Sequence, residues 1–511
     1  MFMAMTSIPE KGAFIFRSLT GVIAISILLL ILSSLLLLQF GDSSLAPRSI
    51  YKLIIVKPVE TSVLIELKSA PIVASSCNES CPKSNPIKPS ICDQTQALLK
   101  VFMYDLPPEF HFGLIGWRGD QNQIWPNVSN LSQIPSYPSA INIQHSMEYW
   151  LTLDLLSSAS PNVSRPCTAI LVKNSTQSDV IFVPFFSSWS YNRQPKIHGD
   201  KRNSVDYVLQ ERLVEFLKNR KEWRRSGGKD HLVMAHHPNS LLFTRTQLGS
   251  AMLLLADFGR YPTQIANIDK DIIAPYKHVV RRLNGSDSPS FEKRPVLVFF
   301  QGGIHRKDGG RIRQILYDLL KDEKEVHFTF GRPSPDEIHM ASIGMTHSKF
   351  CLSIAGDTPS SNRLFDAIVS HCAPVIISDD IELPFEDVLD YTKFAIFVRA
   401  SDAARKGYLM KLLRRVQREK WTQMWERLKQ IAPHFEYQYP SQPGDAVDMI
   451  WQAVHRKVSS RRSKVHRQNR YQMSQKFLNE YKTVRVFPFS KLVALWRILV
   501  SPFSYQYPSQ R

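Results

Sequence analysis

The stretch FCLSIAGDTPSSNRLFDAIVSHCAPVIISDDIELPFE, residues 350–386, decides the fold. Residues 350–354 are apolar apart from Ser353 and read as a buried strand. Gly356, Asp357, Thr358 and Pro359 end that run in a turn. Ser360 and Ser361 are cap residues for a helix that carries Arg363 and Asp366, three apart, on one face. Residues 374–377 resume as a strand and run into acids, Glu382 among them. Such a strand–loop–helix–strand unit gathers its polar groups at the carboxyl edge of a parallel sheet, where open α/β folds bind nucleotides. Unpaired N–H groups and the helix dipole favour a phosphate. A guanidinium such as Arg363 pairs a diphosphate bidentately, and a carboxylate one turn on, Asp366, suits ribose hydroxyls.

The alternation continues in both directions. Strands are expected over 100–104, 179–186, 231–235, 251–256, 295–301 and 325–330, with helices over 146–156, 204–220 and from 311. That order predicts parallel sheets. The Ser-, Gly- and Pro-containing break at 284–293 separates two α/β domains, 99–285 and 294–455. Arg306 and Arg311, with Arg313 beside them, follow the first strand of the second domain and are placed to balance a departing diphosphate. The first domain offers Asp105, His236, His237 and Asp257 at strand ends as sources of a general base, the histidines because they titrate near neutrality. Asp269-Lys270-Asp271 is a lone Asp-x-Asp beside an apolar run and is not assigned a metal. No Walker loop, Cys-x-x-Cys, His-Glu-x-x-His or Gly-x-Ser-x-Gly is present.

The net charge of +19 is uneven: residues 455–511 hold thirteen Lys/Arg against Glu480 alone, which leaves +7 for the rest. The excess lies in a terminal tail, 456–511, so a nucleic-acid reading of the net charge fails, and the tail reads as a solvated charge run, with contact to anionic lipid or acidic polysaccharide as the alternative. No structure is assigned after about residue 470. YQYPSQ occurs at 437–442 and again at 505–510, a duplicated segment rather than a structural repeat.

Residues 19–40 carry no charge over 22 positions, enough for a bilayer at ~1.5 Å per residue. They read as an uncleaved anchor after a short cytosolic tail, 1–18, and before a stem, 41–98. Six Asn-x-Ser/Thr sequons follow the span (Asn78, Asn127, Asn130, Asn162, Asn174 and Asn284) and none precedes it, which favours a lumenal body. Cys77, Cys81 and Cys92 suit disulfides in an oxidising compartment, with Cys167 as a further partner. Cys351 and Cys372, in or beside core strands, read as buried thiols.

Several runs carry a family resemblance: VFMYDLP (101–107), VPFFSS (183–188), DHLVMAHHPN (230–239), KDIIAPY (270–276), FFQG (299–302) with RKDGG (306–310), and 350–385. Over about residues 100–455 the chain resembles the exostosin-like glycosyltransferases of plants, nearest to their arabinan arabinosyltransferase-like branch. The resemblance implies a single-pass type II Golgi membrane protein with two Rossmann-like domains facing across a cleft, the GT-B arrangement. It implies an inverting transfer from a UDP-sugar to a wall polysaccharide, with arabinose, xylose, galactose or glucuronate as the sugar. Arg363 then holds the diphosphate and Asp366 the ribose. Gly356, Asp357, Ser360, Ser361, Arg306, Arg311 and Glu382 complete the donor site, and no metal or other cofactor is expected. Partners are the UDP-sugar and the acceptor polysaccharide, and an oligomer with itself or with related transferases is left open. The basic tail departs from the family pattern. Rival readings are a lumenal sulfotransferase, which lacks its phosphate loop after the first strand, and a glycan-binding scaffold, which needs no donor site.

Overall fold

A computed structural model describes residues 95–138, 141–193, 204–306, 310–332 and 334–484. The expected anchor at 19–40, the expected stem up to residue 94, Asn78, Cys77, Cys81, Cys92 and residues beyond 484 lie outside them. Among the described residues no helix is long and apolar enough to cross a membrane.

Two all-parallel sheets form the body. The first contains β1 (Leu99–Met103), β2 (Ala169–Leu171), β3 (Val180–Val183), β4 (His231–Met234), β5 (Met252–Leu255) and β6 (Ile272–Ile273), in the order β2-β1-β3-β4-β5-β6. The second contains β7 (Val296–Gly302), β8 (Val326–Phe330), β9 (Ser348–Ile354), β10 (Ala373–Ile377) and β11 (Ile396–Phe397), in the order β11-β10-β9-β7-β8. Counted from its own first strand, each sheet follows the order 2-1-3-4-5, to which the first sheet adds a sixth strand at its far edge. Strands β3, β4 and β5 are buried at every residue, because helices cover both faces of a parallel sheet. The edge strands β2, β6 and β11 are two or three residues long, too short to stand out as hydrophobic runs.

The helices that place the site are α1 (Met147–Ser157), α2 (Val205–Asn219), α3 (Arg311–Leu320), α4 (Pro335–Thr346), α5 (Asn362–Val369) and α6 (Ala446–Val484). Ser361 caps α5, its Oγ accepting the Arg363 N–H at 3.4 Å. Arg294 is fully buried and donates to the carbonyls of Met345, Ser348 and Ser370. It thereby ties the C-terminal ends of α4 and α5 to the start of β9, where helix dipoles favour a cation.

α6 runs through residue 455 without a break and continues to Val484. Its first turns pack under the first sheet: Trp451 lies 5.8 Å from Phe182, ring to ring, and donates to Asp154 Oδ2 at 3.0 Å. The basic residues that follow are not a purely solvated run. Arg456 pairs with Asp387, Arg462 with Asp179 and Lys464 with Asp269, while Lys457 donates to the Ile268 carbonyl. The start of the tail thus bridges the second domain, through Asp387, to acids of the first.

A second difference concerns the cysteines. Cys351 on β9 and Cys372, just before β10, form a disulfide across 21 residues rather than two thiols. Strand β9 pairs directly with β10, and this register sets their Cα atoms 5.7 Å apart, within bridging range. Cys167 is also in a disulfide, whose partner lies outside the described residues. The five described sequon asparagines, Asn127, Asn130, Asn162, Asn174 and Asn284, are all exposed.

Candidate functional site

Two cavities open where the carboxyl edges of the sheets meet. The larger, about 1110 Å³, lies between Tyr191, Asn239 and the Phe258–Pro262 segment on one side and Gly356–Pro359, Ser378–Asp380 and Glu382 on the other. The smaller, about 220 Å³, sits beside β7 and β9, lined by Gly302, Gly303, Arg306, Arg313, Glu337, Ser361, Asn362 and Arg363, with Gln144 entering from the first domain. The β7/β9 boundary is where strand order reverses, the position at which open α/β sheets take their ligands.

The smaller cavity is crowded with positive charge. Arg313 is buried and donates to the carbonyls of Ile354 (2.7 Å), Gly303 (3.0 Å) and Ala355 (3.1 Å), tying the loop after β7 to the loop after β9. Gly356 leaves room for it: a Cβ there would lie 3.0 Å from Arg313 Nη2. Burial, then the neighbouring charges of Arg306 and Arg363, push the Arg313 guanidinium down to about 9, with Asp357 opposing. Arg363 is nearly covered and pairs with Asp366 at 3.2 Å. Arg306 is exposed and reaches Asp357 only at 3.5 Å. At the start of α5, Asn362 Oδ1 is buried with no hydrogen-bond partner, a position that calls for a donor. Gln301 Nε2–H donates to Glu337 Oε2 at 2.8 Å and aligns that carboxylate at the wall.

Several expected site residues lie elsewhere. Arg311 is exposed at the first position of α3 and lines neither cavity, whereas Arg313, two residues on, faces inward. Asp366 is fully buried, and its Oδ1 accepts the Val279 N–H at 2.8 Å and the Val280 N–H at 3.4 Å. It fastens the crossover segment and Arg363 and presents no oxygen to a ribose. Ser360 is buried and turned toward the first domain, donating to Asp257 Oδ2 and lying 3.0 Å from Tyr276 Oη. Ser361, Arg363, Arg306, Gly356, Asp357 and Glu382 do line the two cavities.

The expected bases also change character. His236 is fully buried, with Nδ1 at 2.9 Å from His145 Nδ1 and Nε2 at 3.2 Å from the Ala274 carbonyl. Burial pushes it down to about 4. Both ring nitrogens are engaged, so it cannot take a proton from a substrate. His237 is half-buried, and its Nδ1 accepts the Asn239 N–H at 3.1 Å. A neutral ring so held carries its hydrogen on Nε2 and is a donor there, not a base. Asp105 is exposed, accepts the Trp125 indole N–H at 3.0 Å and lines neither cavity. Glu148, absent from the expected set, is fully buried; its Oε1 accepts the Ser188 N–H while Oε2 has no partner, and burial pushes it up to about 7.

Gln301, Glu337, Asn362 and Gln144 escaped the sequence reading because none belongs to a catalytic motif. Asn362 alone carried a local signal, its place just after the helix cap. Two buried bulky residues, Leu241 and Phe385, hold φ of 52° and 60°, a strained backbone. Among the described residues no group of three or more His, Cys, Asp or Glu side chains is placed to hold a metal ion.

Comparison with known proteins agrees with this geometry. The chain is 39% identical over 370 residues to a probable arabinosyltransferase, ARAD1, of Arabidopsis thaliana, covering 71% of this chain and 79% of that protein. It is 23% identical to a probable beta-1,4-xylosyltransferase, IRX10L, of Arabidopsis thaliana, covering 73% and 84%. It is 22% identical to a probable glucuronosyltransferase, GUT1, of Oryza sativa subsp. japonica, covering 72% and 83%. Solved structures are distant: Anabaena Alr3699/HepE in complex with UDP and glucose matches with a TM-score of 0.32 and 10% identity, over 71% of this chain and 100% of that one. The exostosin GT47 domain matches residues 95–416, and the chain belongs to this glycosyltransferase family.

Proposed function

We propose that this protein is an inverting transferase that moves a neutral sugar, arabinose first among them, from a UDP-sugar to a cell-wall polysaccharide. The observation that carries this reading is the convergence of Arg306, Arg313, Arg363 and the α5 N-terminus on one cavity. Like charges this close repel one another, and a diphosphate relieves the repulsion. Arg306 and Arg363 neutralise the UDP as its bond to the sugar breaks, the task a metal performs in other transferases. Asn362 Oδ1 and Glu337 accept hydroxyl or N–H donors of the nucleoside. The acceptor hydroxyl enters from the larger cleft and attacks the anomeric carbon opposite the UDP. Its proton passes to a cleft carboxylate, Glu382, since neither histidine offers a lone pair.

The larger cleft also bears on the sugar. Asp357, Asp379, Asp380 and Glu382 line it. Against Arg245 and Arg260 on the facing wall these four carboxylates leave a net negative lining, which disfavours a uronate through like-charge repulsion, so glucuronate ranks below arabinose, xylose and galactose. The 39% identity to a probable arabinosyltransferase supports the choice of arabinose as the first donor to test. Two disulfides and five exposed sequons suit an oxidising, glycosylating lumen. We therefore assign a Golgi membrane location with residues 19–40 as anchor and Asn78, Asn127, Asn130, Asn162, Asn174 and Asn284 as glycosylation sites. A screen of UDP-arabinose, UDP-xylose, UDP-galactose and UDP-glucuronate, read as UDP release with and without EDTA, tests this. Preferential use of UDP-glucuronate, or activity lost with EDTA, overturns the corresponding part.

A further inference from the structure

The two cavities are separated by one loop, residues 356–360, which leads into the α5 cap. From its own domain the loop is held by Arg313 at Ala355 and by Ser378, whose Oγ donates to the Pro359 carbonyl at 2.8 Å. Arg306 also reaches Asp357 from that domain, at 3.5 Å, and further fastenings come from the other domain. Ser360 Oγ donates to Asp257 Oδ2, and the Tyr276 hydroxyl lies 3.0 Å from the same Oγ. Asp257, Tyr276 and Ser360 are all buried. Arg260 Nη2 reaches the Asp357 carbonyl at 3.4 Å. Gly259, whose N–H donates to Asp257 Oδ1 at 2.9 Å, touches the loop directly, and a Cβ there would collide with Pro359 Cδ.

The contact extends inward. The Tyr276 ring packs 5.0 Å from His145, 5.0 Å from His236 and 5.6 Å from Phe365 of α5, centroid to centroid. A continuous buried wall thus runs from the strand ends of the first sheet to the first turns of α5.

We infer that Asp257 is a positioning residue for donor binding: from the opposite domain it holds Ser360, and through it the α5 N-terminus and Arg363, in register for the diphosphate. A buried, charge-assisted hydrogen bond to the residue before a helix cap is short and directional. Losing it lets the loop shift, and a shift of about 1 Å at a phosphate site is costly. The inference rests on the assignment of the smaller cavity to the UDP-sugar. It makes donor affinity a property of both domains together, although every donor contact proposed above lies in the second.

The test measures UDP affinity by calorimetry, and donor and acceptor KM with kcat, on the full chain purified in detergent. The variants are Asp257→Ala, Asp257→Asn, Ser360→Ala and Arg363→Ala. Asp257→Ala is expected to weaken UDP binding roughly tenfold, the scale of one such bond, and to raise donor KM while leaving acceptor KM unchanged. Asp257→Asn still accepts from Ser360 and recovers most of the affinity. Ser360→Ala matches Asp257→Ala, and the double variant is no worse than either single one. Wild-type UDP affinity in a folded Asp257→Ala, or equal rises in both KM values, overturns the positioning role. If Arg363→Ala also binds UDP normally, the cavity assignment itself fails, an outcome distinct from failure at Asp257 alone.

Discussion

The two sheets share one order over five strands, yet their carboxyl edges differ. On the first, His236 is closed off by His145 and a backbone carbonyl, and His237 is turned into a donor by Asn239. On the second, Arg306, Arg313, Arg332 and Arg363 line a cavity whose one acidic lining residue is Glu337. Equal topology therefore does not mean equal chemistry. The first edge engages both of its histidines internally and becomes a rigid wall. The second keeps a cationic surplus, which is the condition for binding an anionic ligand.

Breaking the cationic edge should have the largest effect. Arg363→Ala is expected to lower transfer by about 10²–10³-fold, as loss of one transition-state charge contact does, with no UDP-induced rise in melting temperature. An active, UDP-stabilised variant would equate the two edges. Arg313→Ala leaves three carbonyls without their donor and should cost ~3 kcal/mol of stability, and Arg313→Lys should not restore it, because an ammonium lacks the fork geometry. Thermal unfolding of both variants decides. Replacing Cys351 and Cys372 together by Ser opens a 21-residue loop around α5 and should lower stability by ~3 kcal/mol. If the disulfide matters only locally, UDP affinity will fall and the melting temperature will not.

The wall of the first domain should respond to pH in two opposed ways. Glu148 ordinarily titrates at 4.5 and is raised to about 7 in the fold. Its folded form keeps a proton that the unfolded chain has lost, so its contribution is complete below pH 4.5 and fades as pH rises through 7. His236 is depressed from 6.5 to about 4, so its contribution is complete above 6.5 and fades toward 4. Glu148→Gln removes the first effect. The variant's stability relative to wild type should therefore be higher at pH 8 than at pH 5, by up to ~3 kcal/mol. A difference independent of pH would place Glu148 in contact with water. The smallest effect is expected at Asp105→Asn, which keeps an acceptor for Trp125 and should change activity by less than about threefold, within the range of exposed polar exchanges. A hundredfold loss would return Asp105 to the catalytic centre.

Much of the candidate site was legible in residues 350–386, because a strand end, a turn, a cap and an arginine are all local signals. Ser361 does cap the helix, and Arg363 does face the small cavity. Ser360 and Asp366 were misread for one reason. Adjacent and i+3 positions in a sequence look alike whether a side chain points into a crevice or into the neighbouring domain. Asp366 meets Val279, 87 residues away, and no local pattern announces that partner. Arg311 and Arg313 show the same limit within one helix, since two residues of helix turn a side chain from cavity to solvent.

By itself the sequence determined the class of the fold, its parallel sheets and the family. Each follows from hydrophobic runs, turn residues and motifs that lie within a few tens of residues. Only the tertiary structure decided which polar groups remain available. That required the disulfide between β9 and the residue before β10, the return of the C-terminal helix beneath the first sheet and the contact of Asp257 with Ser360. The reason is physical. Burial and hydrogen-bond partners turn a titratable residue into a base, a donor or a brace, and both are set by contacts between segments far apart in the chain.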